Sequence, residues 1–361
     1  MGVEIKFTDR DLPVSPVFVE FLHHHIDGTG AENSWHDQLS EKLVPADFEH
    51  RVQYAESVAE QVLQHPLGQQ AIYRAYELFT ALLLGQLEKL HALQRRFRFV
   101  CVVGCPRHGG TYLIKHLFRS LGFDPAKVPN AIAHDGFPDA APFLFAPAHN
   151  GYTAMMHQMA EYLAMVEVFF GTPAAGGGRR IVPKKATKAA YHGAFFTSVW
   201  GPDTEYVITL RHPIAACIST YQKSTGLPVD GKFAVRGNIE EWAHRDNLFT
   251  GADPATILER GYFDVYLRYW EQYHLNLALG GLGASRKRSL VAYGRDRIMS
   301  CADGLAERYG NRVAAEDFKV FDRAQAPREW SELAEPAMRR VAAAWRMVGL
   351  EFPLDELAEC R

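Results

Sequence analysis

The sequence predicts an α/β fold with a central parallel sheet flanked by helices, preceded by a helical N-terminal extension. Three observations predict it. Short apolar runs at 98–103, 180–182, 206–210 and 289–293 have the length and composition of strands buried on both faces. Helical stretches lie between them, including 188–199 and 213–221, and strands alternating with helices imply parallel crossovers. The first run ends in a Gly/Pro turn from which a helix at 112–121 opens, stopped by Gly122.

In chain order, residues 1–95 form the extension. Asp47 is placed to cap a helix carrying Phe48, Val52, Ala55, Val58, Val62 and Leu63, which ends near Pro66 and Gly68. A second, longer helix from 69 to 96 carries Ile72, Ala75, Phe79, Leu82, Leu83 and Leu87 at helical spacing. No catalytic motif falls in this region, so it reads as a packing layer with a face open to homo-oligomer formation. From 96 to 361 the chain reads as one large α/β domain. The cluster Gly176-Gly177-Gly178 reads as a connector, and no internal repeat is present.

Composition narrows the function classes. Of 361 residues, 47% are hydrophobic and 22% charged, enough to bury a sizeable core. Lys and Arg number 39 against 42 Asp and Glu, a net charge of -3. A nucleic-acid polymer or an anionic membrane surface would need a basic excess, so neither is an expected partner. A small, strongly anionic ligand held by a few local cations stays open. Five scattered cysteines, with no CxxC pair, give neither a disulfide framework nor a zinc site. No leader pattern opens the chain and apolar runs reach only about five residues, far short of a membrane span, so the expectation is a reduced, cytoplasmic protein. His23-His24-His25 project in successive directions, and no HExxH occurs, so no metal site is predicted.

The chemistry concentrates in Gly104-Cys105-Pro106-Arg107-His108-Gly109-Gly110-Thr111-Tyr112. A buried strand here enters a glycine-rich turn that opens a helix. Backbone N–H groups converge at such a turn, and the helix dipole adds partial positive charge, which together favour an anion. Gly109 and Gly110 permit close backbone approach, Arg107 supplies a fixed charge and Thr111 a hydroxyl. Gly-Lys-[Ser/Thr] is absent, so this is not a Walker A loop. A second segment ends the 206–210 run with Arg211-His212-Pro213, and Ser219 follows eight residues after Arg211. Pro213 can start a helix that carries Ser219 about two turns along. A guanidinium fork and a hydroxyl then face the same phosphate.

These two segments resemble those of sulfotransferases that use 3′-phosphoadenylyl sulfate (PAPS). The family's 5′-phosphosulfate loop reads roughly Pro-[Lys/Arg]-Ser-Gly-[Thr/Ser]-[Thr/Ser], matched by Pro106, Arg107, Gly109 and Thr111; His108 and Gly110 depart from it. Tyr112 falls where members place an aromatic residue against adenine. Arg211 and Ser219 match the 3′-phosphate site in type and spacing. Lesser matches are Tyr293, the aromatic run 263–270, and Arg328-Glu329-Trp330 with Arg323 as a further cation. The resemblance covers about 97–350 and implies a P-loop-type three-layer fold, PAPS as co-substrate released as adenosine 3′,5′-bisphosphate (PAP), and no metal requirement. It also implies roles. Arg107 stabilises the leaving phosphate, and Lys184 or Lys185, with Lys184 favoured, lies near the sulfuryl group. His134 or Asp135 takes the acceptor proton, with His192 and His149 as weaker alternatives.

The implied reaction is transfer of a sulfuryl group to a hydroxyl, less readily an amine, of a small-molecule or carbohydrate acceptor. A nucleotide kinase or NTPase on a related fold is the alternative enzyme, and a catalytically silent PAP- or PAPS-binding protein the non-enzymatic one. The stretches 133–170 and 227–261 are expected to shape the acceptor pocket. Phe137, Phe143, Phe145, Tyr152, Met155, Met156, Met159, Tyr162, Phe233 and Trp242 in them read as core in the main, and as pocket in part.

Overall fold

A computed structural model describes residues 5–7, 12–29, 45–134, 151–171, 178–235, 239–240, 242–243, 251–282, 285, 287–314, 316–318 and 324–359. A short antiparallel hairpin of β1 (Ile5–Phe7) and β2 (Leu12–Val14) opens it. The principal sheet contains β3 (Phe97–Val103), β4 (Arg180–Lys185), β5 (Glu205–Leu210) and β6 (Arg288–Ala292). It is parallel, its order is β4-β3-β5-β6, and helices flank it, as a three-layer α/β fold requires. The register sets Val100 against Glu205, Val103 against Ile208, and Leu210 against Ala292. Val100, Cys101, Val102 and Val103 are all essentially inaccessible, so β3 is covered on both faces, as its unbroken apolar run implies.

The chain divides into two compact units, one of 1–99 with 123–184, the other of 100–122 with 185–361. In the first, Ser15 caps the helix Pro16–Asp27, its hydroxyl accepting from the Phe18 N–H, and Glu161 accepts the Ser15 N–H at 2.7 Å. The predicted helix over 69–96 is two helices, Pro66–Leu84 and Leu87–Arg96. Gly85 separates them, its left-handed φ of 65° letting its N–H close on the Ala81 and Leu82 carbonyls. Helix Gly151–Phe170 occupies part of the stretch read as a pocket insertion and packs on Pro66–Leu84. Met155, Met159 and Tyr162 are buried on it, so these side chains are core; Phe137, Phe143 and Phe145 lie outside the described residues.

In the second unit, β5 and β6 feed the helices Pro213–Thr225 and Arg295–Tyr309. The aromatic helix Tyr262–Leu279 packs against Pro213–Thr225 and against Glu329–Met347. The predicted helix over 188–199 is a 3-10 turn, Thr187–Ala190, followed by Gly193–Trp200. Strand β4 runs three residues past the predicted 180–182. It passes through Pro183 because it lies at the sheet edge, where a missing N–H costs least. Among the described residues, no helix is long and apolar enough to cross a membrane.

Candidate functional site

The site grows from the junction of β3 with the helix Gly110–Ser120. Gly104 follows the strand and lies so close to β5 that a Cβ there would meet the Thr209 hydroxyl at 2.1 Å and its carbonyl oxygen at 2.8 Å. The loop then turns through Arg107, at φ 70°, and Gly109, at φ 89°. Left-handed backbone is natural for glycine and strained for arginine, by about 1–3 kcal/mol, a cost that backbone outliers at ligand sites commonly carry. Gly109 is the N-cap of Gly110–Ser120 and supplies no capping side chain, so the helix presents its positive end to the loop undressed.

Two arginines and a serine converge there. Arg107 Nε donates to Ser219 Oγ at 3.2 Å. Arg211, only 2% exposed, donates from Nη1 to the Arg107 carbonyl at 2.6 Å. Its guanidinium lies 3.9 Å from the Tyr293 ring centroid, and its own carbonyl accepts the Trp270 indole N–H at 3.1 Å. Ser219 is set by the helix Pro213–Thr225, which begins at Pro213 with His212 Nδ1 accepting the Ile214 N–H. The sequence pairing of Arg107, Arg211, Ser219 and Tyr293 is thus one constellation in space. Tyr293 lies just past β6, its N–H bonded to the Leu210 carbonyl.

Further cations surround it. Lys223 sits one turn beyond Ser219, and its pKa is pushed down to about 8 by burial and by the positive fields of Arg107, Lys185 and Lys115. Burial also lowers the pKa values of Arg107 and Lys115, the latter with help from Arg119. Among the described residues, the charges that lower the Lys223 pKa belong to three cations, a grouping that suits an anionic ligand. No family model, curated protein or solved structure matches the chain.

The other predicted residues fall as follows. Lys184 is fully buried in the first unit, donating to the Ala131 carbonyl at 2.8 Å with its ammonium 4.1 Å from the Tyr162 ring centroid. Lys185 lies beside the start of Gly110–Ser120, its Cε 3.6 Å from where a Gly110 Cβ would stand. Of the two lysines, Lys185 rather than the favoured Lys184 accompanies the loop. Tyr112 and Tyr293 both meet the ring of Phe318 edge-on, at 5.0 and 5.5 Å, and Tyr112 donates to the Glu316 carbonyl. Thr111 opens the first turn of the same helix as Gly110. Arg328 is exposed ahead of Glu329–Met347, whereas its neighbour Trp330 stacks on Phe263 with centroids 4.2 Å apart. His134 is half-buried after the short helix Asn130–Ala133, and His192 is the N-cap residue of Gly193–Trp200. Asp135, His149 and Arg323 lie outside the described residues.

His108 turns inward. It is 1% exposed, its Nδ1 lies 3.0 Å from the Thr209 carbonyl, and burial holds its pKa well below the usual imidazole range. The loop therefore offers its anion the Arg107 charge and backbone N–H groups, with no contribution from the residue-108 side chain. The sequence reading missed Lys115, Lys223 and Phe318. Helical spacing could have found the first two, since Lys115 follows Thr111 and Lys223 follows Ser219 by four residues. Phe318 comes from a distant loop and carries no local signal.

Proposed function

We propose that this protein binds PAPS and transfers its sulfuryl group to a hydroxyl of a small-molecule or carbohydrate acceptor, releasing PAP. One observation carries the reading: Arg107, Arg211 and Ser219 converge at an uncapped helix start, with Lys115, Lys185 and Lys223 close enough to act on one another. Such a corner suits a multiply charged nucleotide. In the transfer, the acceptor oxygen bonds to sulfur while the bond from sulfur to the 5′-phosphate oxygen breaks, and charge accumulates on that oxygen. Arg107 stabilises it as a permanent cation that cannot donate its proton. Arg211 and Ser219 hold the 3′-phosphate, and Lys185 lies beside the sulfuryl group. The acceptor proton goes to His134 or Asp135, an assignment that stands on sequence position. A kinase or NTPase reading lacks the Walker lysine. The inward His108 favours one rival, a PAP-binding protein without transfer; release of labelled sulfate from PAPS onto an acceptor separates the two, because the rival yields none.

Binding tests the site directly. Calorimetric titration with PAP is expected to show a loss of about 10- to 100-fold for Arg107→Ala and about 10-fold for Ser219→Ala, the range of one hydrogen bond to a charged group. If both variants bind like wild type, the site is misassigned. Arg107→Gly should lose PAP equally while unfolding no earlier than Arg107→Ala in urea, because glycine accepts a φ of 70°.

Lys223 gives a pH signature. An ammonium attracts the ligand and a neutral amine does not, and in the free protein the change occurs near pH 8. PAP affinity should therefore hold steady from about pH 7, where its phosphates are fully ionised, to pH 8 and fall above it, by at most about tenfold per pH unit for one proton. Lys223→Arg should abolish the fall between pH 8 and 9.5. A fall of the same slope in that variant would remove Lys223 from the site.

A further inference from the structure

We propose that Cys105, His108 and His274 form a buried site for a soft monovalent metal ion, copper(I). The site is independent of the sulfotransferase reading. One donor atom from each of the three residues lies within 4.8 Å of the others, and all three residues are buried.

The histidines are arranged as ligands. His108 Nδ1 lies 3.0 Å from the Thr209 carbonyl oxygen, and His274 Nδ1 lies 2.7 Å from that of Trp270. A carbonyl can only accept, so each ring keeps its hydrogen on Nδ1 and has its lone pair on Nε2. Among the described residues, neither Nε2 has a hydrogen-bond partner, although His108 is 1% and His274 0% exposed. Two buried acceptors without a partner are costly. Metal-binding histidines carry this same backbone-held Nδ1–H, which fixes the tautomer and aims the ring. The rings stack 5.9 Å apart between centroids, bringing the helix Tyr262–Leu279 to the loop.

A metal ion that arrives with a thiolate satisfies both lone pairs at once. Copper(I) binding displaces the proton of the Cys105 thiol to solvent, forms one bond to sulfur and two to nitrogen, and changes no oxidation state. Copper(I), one thiolate and two neutral imidazoles sum to zero charge. Zinc(II) in the same place would leave one positive charge near Arg211, and structural zinc takes four ligands where this cluster has three. Bonds of about 2.0 Å to nitrogen and 2.3 Å to sulfur put donors about 3.5 Å apart, so the three must close by little more than about 1 Å. Because Cys105 and His108 flank Arg107, the ion would pin the anion loop to the aromatic helix.

The test uses the full-length chain, reduced and under anaerobic conditions, titrated with copper(I) against the chelator bicinchoninate. The wild type should withhold one equivalent, and X-ray absorption should show one sulfur and two nitrogens around copper. Cys105→Ser and His274→Gln should each weaken retention at least about tenfold, whereas Cys301→Ser, a thiol elsewhere in the same unit, should leave it unchanged. If His274→Gln does not fold, the near-isosteric Cys105→Ser carries the comparison. Equal retention by wild type and Cys105→Ser overturns the proposal and leaves a water molecule between the two Nε2 atoms as the occupant. Preferential retention of zinc(II) overturns the choice of metal.

Discussion

Arg211→Ala should abolish measurable PAP binding and lower the unfolding free energy by about 3 kcal/mol. The magnitude follows from the number of roles that one buried side chain fills. Its guanidinium satisfies the Arg107 carbonyl, lies against the Tyr293 ring and positions the backbone of the residue that carries the loop charge. Removing it leaves a carbonyl unpaired at a cost of about 1–3 kcal/mol, and opens a cavity in addition. Arg211→Lys discriminates between charge and shape. Lysine restores a cation but has neither the planar fork nor the flat face that rests on Tyr293, so PAP affinity should stay at least about tenfold below wild type while some stability returns. Calorimetric titration and urea unfolding read the two effects separately. A lysine variant that binds PAP like wild type would show that only the charge matters.

Gly104→Ala should be strongly damaging for a change of one methyl group. Its Cβ would stand 2.1 Å from the Thr209 hydroxyl oxygen, 2.8 Å from the Thr209 carbonyl oxygen and 3.3 Å from its Cβ. The hydroxyl could rotate, but the carbonyl cannot yield. It belongs to β5, which is hydrogen-bonded to β3 on one side and β6 on the other, and it also bonds the His108 ring. The expected loss is about 3 kcal/mol or more, at the upper end of overpacking costs, seen as a lowered urea midpoint or as insoluble protein. Adding Thr209→Ala should restore part of the stability, because it removes the hydroxyl clash and leaves the carbonyl one. Full rescue would place the conflict in the side chain alone.

Much of the frame could be read from the residues. The runs around Val100 and Val207 read as central strands because they are almost wholly apolar, whereas the similar run around Val291 forms the edge strand β6. Pro213 and Gly122 marked helix ends by their own stereochemistry. The breaks within helical stretches were harder. Gly85 ends a helix only because its backbone turns left-handed, and an amphipathic pattern continues across it undisturbed. The helix Gly151–Phe170 is apolar around much of its circumference, so it showed no stripe by which to recognise it. In the site, Arg107, Arg211 and Ser219 were legible from order and spacing. His274 was not, because its place near Cys105 and His108 depends on a contact across more than 150 residues. The choice between Lys184 and Lys185 needed to know which face of β4 each one occupies.

That choice has a further consequence for how the sequence can drift. Successive side chains on a strand point to opposite faces, so β4 carries two amines of opposite parity. Lys184 is spent on the Ala131 carbonyl and the Tyr162 ring, and Lys185 on the start of Gly110–Ser120. Gain of one residue upstream in the strand would put Pro183 where Lys184 stands, leaving the Ala131 carbonyl without its donor, and loss of one would put Ala186 where Lys185 stands. Either change costs β4 one of its two placed amines, so the strand resists single-residue insertions and deletions.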